Sequence, residues 1–167
     1  QVNAFTIHAR VKLNTLSNSP NIWGKTLFWG EVNLFVNNDG SVRMFWANNV
    51  SGNKYSTIYT NPGIIQAGQW YDIAVVYSNS SSTIFINGEA VITNLLWTLQ
   101  GGAIISTSQI ESSCNFSQDL GSSRFGVRNT FGWDNYLDGW LDEFHIWSQA
   151  LNPSQLIELN GNVNENV

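Results

Sequence analysis

The sequence predicts an all-β protein built from two packed antiparallel sheets, with one short helix near its C-terminal end. Three observations lead to this fold class: about ten short runs rich in β-branched and aromatic residues, turn signals between successive runs, and a helical pattern in one place only. The 167 residues, 43% of them hydrophobic, suffice for one core. We predict a single domain over residues 1–160 and a C-terminal tail over 161–167, and expect both to belong to a larger protein.

The first strand has the clearest pattern. From Phe5 to Leu13, apolar and polar residues alternate, which indicates a strand with one buried face. The pair Asp39-Gly40 is a strong hairpin signal between predicted strands over 32–37 and 42–46. Further strands are predicted over 26–30, 55–60, 70–77, 83–86, 90–92, 124–128 and 137–147, with a loop over 14–21, an irregular excursion over 101–123 and a loop over 132–136.

One helix is predicted near the C-terminal end. Asn152 is a suitable N-cap, Pro153 suits the first helical position, and Gly161 marks the end. Between them, apolar residues give the segment one side that can pack on a sheet.

The charge content narrows the classes of partner. Seven basic and twelve acidic residues give a net charge of -5, and only 11% of residues are charged, against about 25% in a typical domain. Polarity comes instead from 22 Asn, 18 Ser and 10 Thr. A basic surface for nucleic acid is therefore excluded, and no apolar run approaches the length of a membrane span.

Three stretches follow a known strand pattern in the expected order: Phe5–Lys12, then Trp70–Tyr77 with the hairpin end Ile84–Gly88, then Gly139–Leu151. They resemble the "FTI-A-V", "W-(H/Y)-x-A-V-Y", "I-N-G" and "G-x-(L/I)-D-E" elements of laminin G-like jelly-roll domains in the concanavalin A-like lectin/glucanase superfamily. The resemblance implies a jelly-roll sandwich.

The same resemblance implies a function class. Such domains are commonly extracellular sugar-binding or cell-adhesion modules, many of them with a calcium site. They usually carry a further strand upstream that often supplies calcium ligands, whereas only four residues precede Phe5 here.

Rim aromatics with neighbouring amides are the expected ligand contacts, because an aromatic ring can stack on a pyranose while polar groups bind its hydroxyls. For the predicted loop over 132–136 the alternative is that Trp133 folds back over the end of the sandwich. The candidates are Trp133, Asp134, Asn135 and Tyr136 in the predicted loop, and Trp46 and Asn48 at the far end of the hairpin.

Asp142 is the candidate metal ligand. By strand parity it should share a face with Trp140, Phe144 and Ile146, and if that face is the core side the carboxylate is buried. A buried carboxylate needs either backbone N–H donors or a cation, so a structural Ca²⁺ ion is one of two interpretations. Trp140, like Trp70, Trp29 and Phe85, is predicted to lie in the core.

Catalysis is not expected. The sequence lacks the E-x-D-x-E strand pattern of the related glucanases. Asp138 and Asp142 would lie roughly 13 Å apart along a strand, whereas the two carboxylates of a glycosidase lie about 5 to 9.5 Å apart. We therefore predict a non-catalytic extracellular recognition module that binds a carbohydrate or glycoconjugate. The alternative is a structural or adhesive domain that contacts other extracellular protein chains.

Overall fold

The computed structural model describes residues 3–25, 32–48, 54–99, 103–110, 123–130 and 133–161. Within these ranges the chain forms strands and one helix, in the order β1 (Ala4–Leu13), β2 (Asn21–Lys25), β3 (Val32–Val36), β4 (Val42–Asn48), β5 (Lys54–Thr60), β6 (Trp70–Ser78), β7 (Ser81–Ile86), β8 (Glu89–Val91), β9 (Thr93–Leu99), β10 (Ile104–Ser106), β11 (Ser123–Phe125), β12 (Val127–Thr130), β13 (Trp133–Tyr136), β14 (Gly139–Trp147) and α1 (Pro153–Gly161). Among the described residues, α1 has nine residues and is too short to span a membrane.

Two antiparallel sheets enclose the core. One has the order β14-β1-β6-β7-β8, the other has the order β10-β9-β5-β4-β3-β2-β11, and β12 pairs with β13 separately. The apolar residues of β1, from Phe5 to Leu13, are all buried between the sheets, as their alternation predicts. The predicted two-sheet jelly-roll sandwich with a short C-terminal helix is confirmed.

Trp46 is part of the core. Its side chain is completely buried, and its ring meets those of Phe5 and Tyr77 edge to face, at centroid distances of 6.2 and 5.6 Å. A ring enclosed in this way cannot stack on a ligand, so the expected ligand contact at Trp46 is corrected to a packing role.

The C-terminal helix covers part of the outer face of the five-stranded sheet. Asn152 and Gln155 cap it reciprocally: Gln155 N–H donates to Asn152 Oδ1 at 3.0 Å, and Asn152 N–H donates to Gln155 Oε1 at 2.9 Å. Leu151 and Leu156 pack with Ala74 and Phe85 in a second buried cluster. The predicted cap is therefore confirmed, and Phe85 is buried as expected, though under the helix.

A bulge in β14 overturns the parity expected for Asp142. His8 pairs with His145 and Arg10 with Asp142, so β14 carries one extra residue between these pairs. Glu143 takes a positive φ of 52° there. Each later residue of β14 therefore lies on the opposite face of the sheet from the one that simple alternation predicts. Phe144 consequently packs against the core while Asp142 stays exposed. Asp142 therefore does not share a face with Phe144, and the premise of a buried carboxylate is wrong.

Other predicted elements differ from the structure in detail. The predicted loop over 132–136 contains β13, the predicted excursion over 101–123 contains β10, and β2 and β9 lie where the sequence predicts no strand. Trp70 and Trp140, expected in the core, are 40% and 53% exposed because they lie on the outer face of the five-stranded sheet. The predicted strand over 26–30, with Trp29, lies outside the described residues.

Candidate ligand-binding groove

The outer face of the seven-stranded sheet carries a row of polar and aromatic side chains. Leu34, Met44 and Ile58 face the core, so their strand neighbours face outward. Register then aligns the outward residues, because Arg43 pairs with Phe35 on one side and with Tyr59 on the other. This row crosses three adjacent strands from widely separated parts of the sequence.

A groove of about 330 Å³ lies over this row, within the lower range of small-molecule sites. Its floor includes Arg43, Thr57, Tyr59 and Leu96, from β4, β5 and β9. Its walls are the turn after β3, with Asn37, Asp39 and Ser41, and the loop after β5, with Asn61 and Pro62. The groove therefore combines sheet side chains with two loops.

Asp39 supplies a fixed negative charge in one wall. Ser41 donates to its Oδ1 twice, from the hydroxyl at 2.7 Å and from the backbone N–H at 2.9 Å. These hydrogen bonds lower the pKa of Asp39 below its usual value of 3.8. The carboxylate is therefore ionised at neutral pH and can accept hydrogen bonds from a ligand.

The two walls are joined by backbone hydrogen bonds. Gly63 N–H donates to Asp39 O at 2.8 Å, and Ile65 N–H donates to Gly40 O at 2.9 Å. Gly40 has a φ of 79°, and a Cβ atom there would strike the Ile65 carbonyl oxygen, so glycine is required at this turn. The walls are held in place before any ligand arrives.

Hydrogen bonds also hold the loop after β5 to the neighbouring strands. Thr60 Oγ1 accepts from Val42 N–H and donates to Asn61 O, both at 3.0 Å. Asn94 donates to Asn61 Oδ1 at 3.3 Å. The Arg43 guanidinium lies over the Phe35 ring, with its Cζ 5.7 Å from the ring centroid. Fixed amides, hydroxyls, a carboxylate and a guanidinium therefore surround one concave space.

Aromatic rings continue beyond the groove on the same outward face. Phe45 and Tyr55 follow the Arg43 row and stack on each other, with centroids 5.4 Å apart and planes at 20°. Tyr59, in the groove itself, is 36% exposed. The face thus offers apolar ring surfaces beside hydrogen-bonding groups, which is the combination that a polyhydroxylated ring requires.

The ligand residues predicted from the sequence do not gather in this groove. Trp46 lies on the opposite face of β4 from Arg43, and Asn48 ends that strand, its side chain outside the described part. Trp133, Asp134 and Asn135 pair with β12 through their backbones, and their side chains are not described. Tyr136 is 59% exposed, but its hairpin adjoins β2, away from the groove.

A sequence pattern marks two of the groove-face residues. Arg43 and Phe45 alternate with the apolar residues Val42, Met44 and Trp46, which parity alone assigns to the opposite face. The loop residue Asn61 had no comparable signal, because it joins the groove through contacts with a distant turn.

Asp142 makes a local contact. Its Oδ1 accepts the N–H of Glu143 at 3.0 Å, within the bulge. The described residues contain no group of three or more His, Cys, Asp or Glu side chains placed to hold a metal ion. Any calcium ion at Asp142 would depend on backbone carbonyls and water for its other ligands.

Comparison with known proteins identifies relatives of the whole fold. Residues 1–157 match a laminin G-like family model described as the concanavalin A-like lectin/glucanases superfamily. No curated protein sequence matches the chain.

Solved structures share this fold at low identity. The CBM40 of the Ruminococcus gnavus IT-sialidase, bound to α2,3-sialyllactose, has a TM-score of 0.64 and 18% identity, over 96% of this chain and 84% of that one. Domain 4 of AbnA, a GH43 extracellular arabinanase from Geobacillus stearothermophilus in complex with arabinotriose, has a TM-score of 0.61 and 20% identity, over 96% and 68%. A heptameric SAP-like pentraxin from Limulus polyphemus has a TM-score of 0.56 and 21% identity, over 95% and 70%.

Proposed function

We propose that this chain, which belongs to the laminin G-like domains of the concanavalin A-like lectin/glucanase superfamily, is a non-catalytic, lectin-like module. In this proposal it binds carbohydrate in the groove over β4, β5 and β9. Its partners are carbohydrates or glycoconjugates outside the cell. The chemistry of the groove is the observation that carries the proposal.

A sugar ring presents hydroxyls on its rim and C–H bonds on its faces. Asp39 accepts hydrogen bonds from hydroxyls, and Arg43 can donate to ring or hydroxyl oxygens. The Tyr59 ring, partly exposed in the floor, offers a surface to the C–H face. Because the walls are already joined, little ordering cost is added when a ligand binds.

Two of the three related structures support this ligand class, since one holds sialyllactose and the other arabinotriose. Their low identity to this chain leaves the particular glycan to experiment. The groove lining supports a binding role rather than hydrolysis. Among the described residues that line it, Asp39 is the one that carries a carboxylate. Glycoside hydrolysis uses two.

The experiment combines a glycan array, screened with and without a chelator, and calorimetry on the glycan that binds best. We expect Asp39→Asn and Tyr59→Ala each to weaken binding about tenfold or more, which corresponds to about 1.4 kcal/mol. Tyr136→Ala is the matched control, since it removes an exposed tyrosine ring from the other predicted site.

The outcomes separate the hypotheses. Loss of binding in Tyr136→Ala alone would move the site to the β12–β13 hairpin. Absence of glycan binding under both conditions would reject the lectin function. Self-association or capture of another extracellular protein, without glycan binding, would favour the adhesive alternative.

A further inference from the structure

The outer face of the five-stranded sheet has an open half that the proposed groove does not use. Register places Trp70, Lys12 and Trp140 side by side on β6, β1 and β14. The next row, two residues along, is Asp72, Arg10 and Asp142. We call these six residues the Trp–Lys–Trp surface.

Both indole rings are held in place by cations from β1. Lys12 Nζ lies 5.3 Å from the Trp140 ring centroid, and Arg10 Cζ lies 5.3 Å from that of Trp70. The rings nevertheless remain 53% and 40% exposed. Trp70 and Trp140 thus lie on either side of Lys12 as two exposed rings, each in contact with a cation, whereas scattered single exposed apolar residues need no explanation.

The second row supplies acceptors next to the rings. Asp72 uses Oδ1 to accept from His8 Nε2 at 3.3 Å, and Asp142 uses Oδ1 to accept from Glu143 N–H at 3.0 Å. In the described part of the chain, the Oδ2 atoms of both carboxylates have no further partner. The positive charges of Lys12 and Arg10 balance the negative charges of the two carboxylates. The surface therefore favours a neutral ligand that both donates and accepts hydrogen bonds.

The size of the surface decides what can occupy it. The next row along the strands contains Ala74 and His8, which are buried. The surface therefore ends at this row, on the side of the sheet where α1 packs. Three strands about 4.8 Å apart and two rows about 6.6 Å apart outline roughly 100 to 200 Å². A standard protein interface buries about 800 Å² on each partner. The six residues cover far less than this area, and their extent matches that of a short saccharide.

We propose that the Trp–Lys–Trp surface is a second carbohydrate site, for neutral linear oligosaccharides, on the sheet opposite the groove. Trp70 and Trp140 stack on sugar rings that lie about 10 Å apart, which is the spacing of two strands, and the polar groups between them bind hydroxyls. One domain then holds two glycan segments at once, and their linkage raises the overall avidity.

The test observes the two indoles directly. Cellohexaose, xylohexaose and mannohexaose are titrated separately, to millimolar concentration, into the ¹⁵N-labelled chain, and the Nε1–H signals of Trp70 and Trp140 are followed by NMR. Both signals are expected to shift with at least one hexasaccharide. The same shifts are expected in the groove variant Asp39→Asn/Tyr59→Ala, which separates this site from the proposed groove.

Matched variants define the contribution of the ring. Trp140→Ala is expected to weaken binding, followed at the Trp70 signal, about tenfold or more. Phe125→Ala, which removes a ring of nearly equal exposure, 52%, is expected to leave it unchanged. Absence of shifts with all three probes, shifts that vanish in the groove variant, or equal effects of Trp140→Ala and Phe125→Ala would each overturn the proposal.

Discussion

Gly139, the first residue of β14, lies against the backbone of β1, and its replacement by alanine tests this close approach. A Cβ atom at this position would strike the Lys12 carbonyl oxygen and lie 2.9 Å from Leu13 Cα, well inside the about 3.5 Å of ordinary carbon contacts. Both obstacles are main-chain atoms of a strand that also pairs with β6, so they cannot rotate aside. The end of β14 would have to move.

The loss of folding stability expected in Gly139→Ala has two parts. Forcing one methyl group into a packed place costs about 1–3 kcal/mol, and a φ of 156° adds about 1 kcal/mol for a residue with a side chain. We expect Gly139→Ala to lose about 3 kcal/mol. Gly63→Ala is the control: its φ is 80°, but no atom lies within 4 Å of the added Cβ, so only the conformational cost of about 1 kcal/mol applies.

Urea unfolding followed by tryptophan fluorescence measures both values, and thermal unfolding checks them. For a domain of this size, 1 kcal/mol corresponds to a Tm change of about 2–4 °C. The melting temperature should therefore fall by roughly 6–12 °C in Gly139→Ala and about 2–4 °C in Gly63→Ala. Equal losses in the two variants would refute the steric argument.

Two further predictions concern acidic residues. Because the Ser41 hydrogen bonds lower the pKa of Asp39 from its usual value of 3.8, the stabilising effect of the carboxylate is complete above that value. It is lost as the pH falls through the lower pKa of the folded state. The stability advantage of the wild type over Asp39→Asn should shrink in that range, and urea titrations in which it stays constant down to pH 2 would count against this assignment. For Asp142, whose carboxylate already accepts a local N–H, we expect equal melting temperatures in calcium and in EDTA, and no calcium response in Asp142→Asn. A rise in Tm with calcium that Asp142→Asn removes would support a structural calcium ion at Asp142.

The elements that the sequence predicted well depend on local patterns. The alternation from Phe5 to Leu13 defines a buried face regardless of what the strand pairs with. The helix start at Asn152 and Pro153 likewise depends on neighbours within one turn, where capping is decided. These features were therefore predictable from short windows of sequence.

The site depended on information that short windows lack. The bulge in β14 exists because of the register between β14 and β1, and Glu143 carries no sign of the positive φ that glycine usually occupies. The groove likewise forms only after Arg43 and Tyr59 become neighbours and the two walls meet. Parity assigns faces correctly along an uninterrupted strand, but one extra residue reverses the assignment beyond it.

The position of β1 between β6 and β14 has a consequence for how the chain folds. Its neighbours β6 and β14 come from the middle and the far end of the sequence, and Thr6 bonds across 143 residues to Gln149. Contacts of such long separation slow folding, because the intervening chain must be ordered first. During synthesis, β1 leaves the ribosome before β6 and β14, and it obtains its second neighbour only when β14 appears. Until then the hydrogen-bonding edge of β1 that later meets β14 is open, and it is the place where premature pairing with another chain would begin.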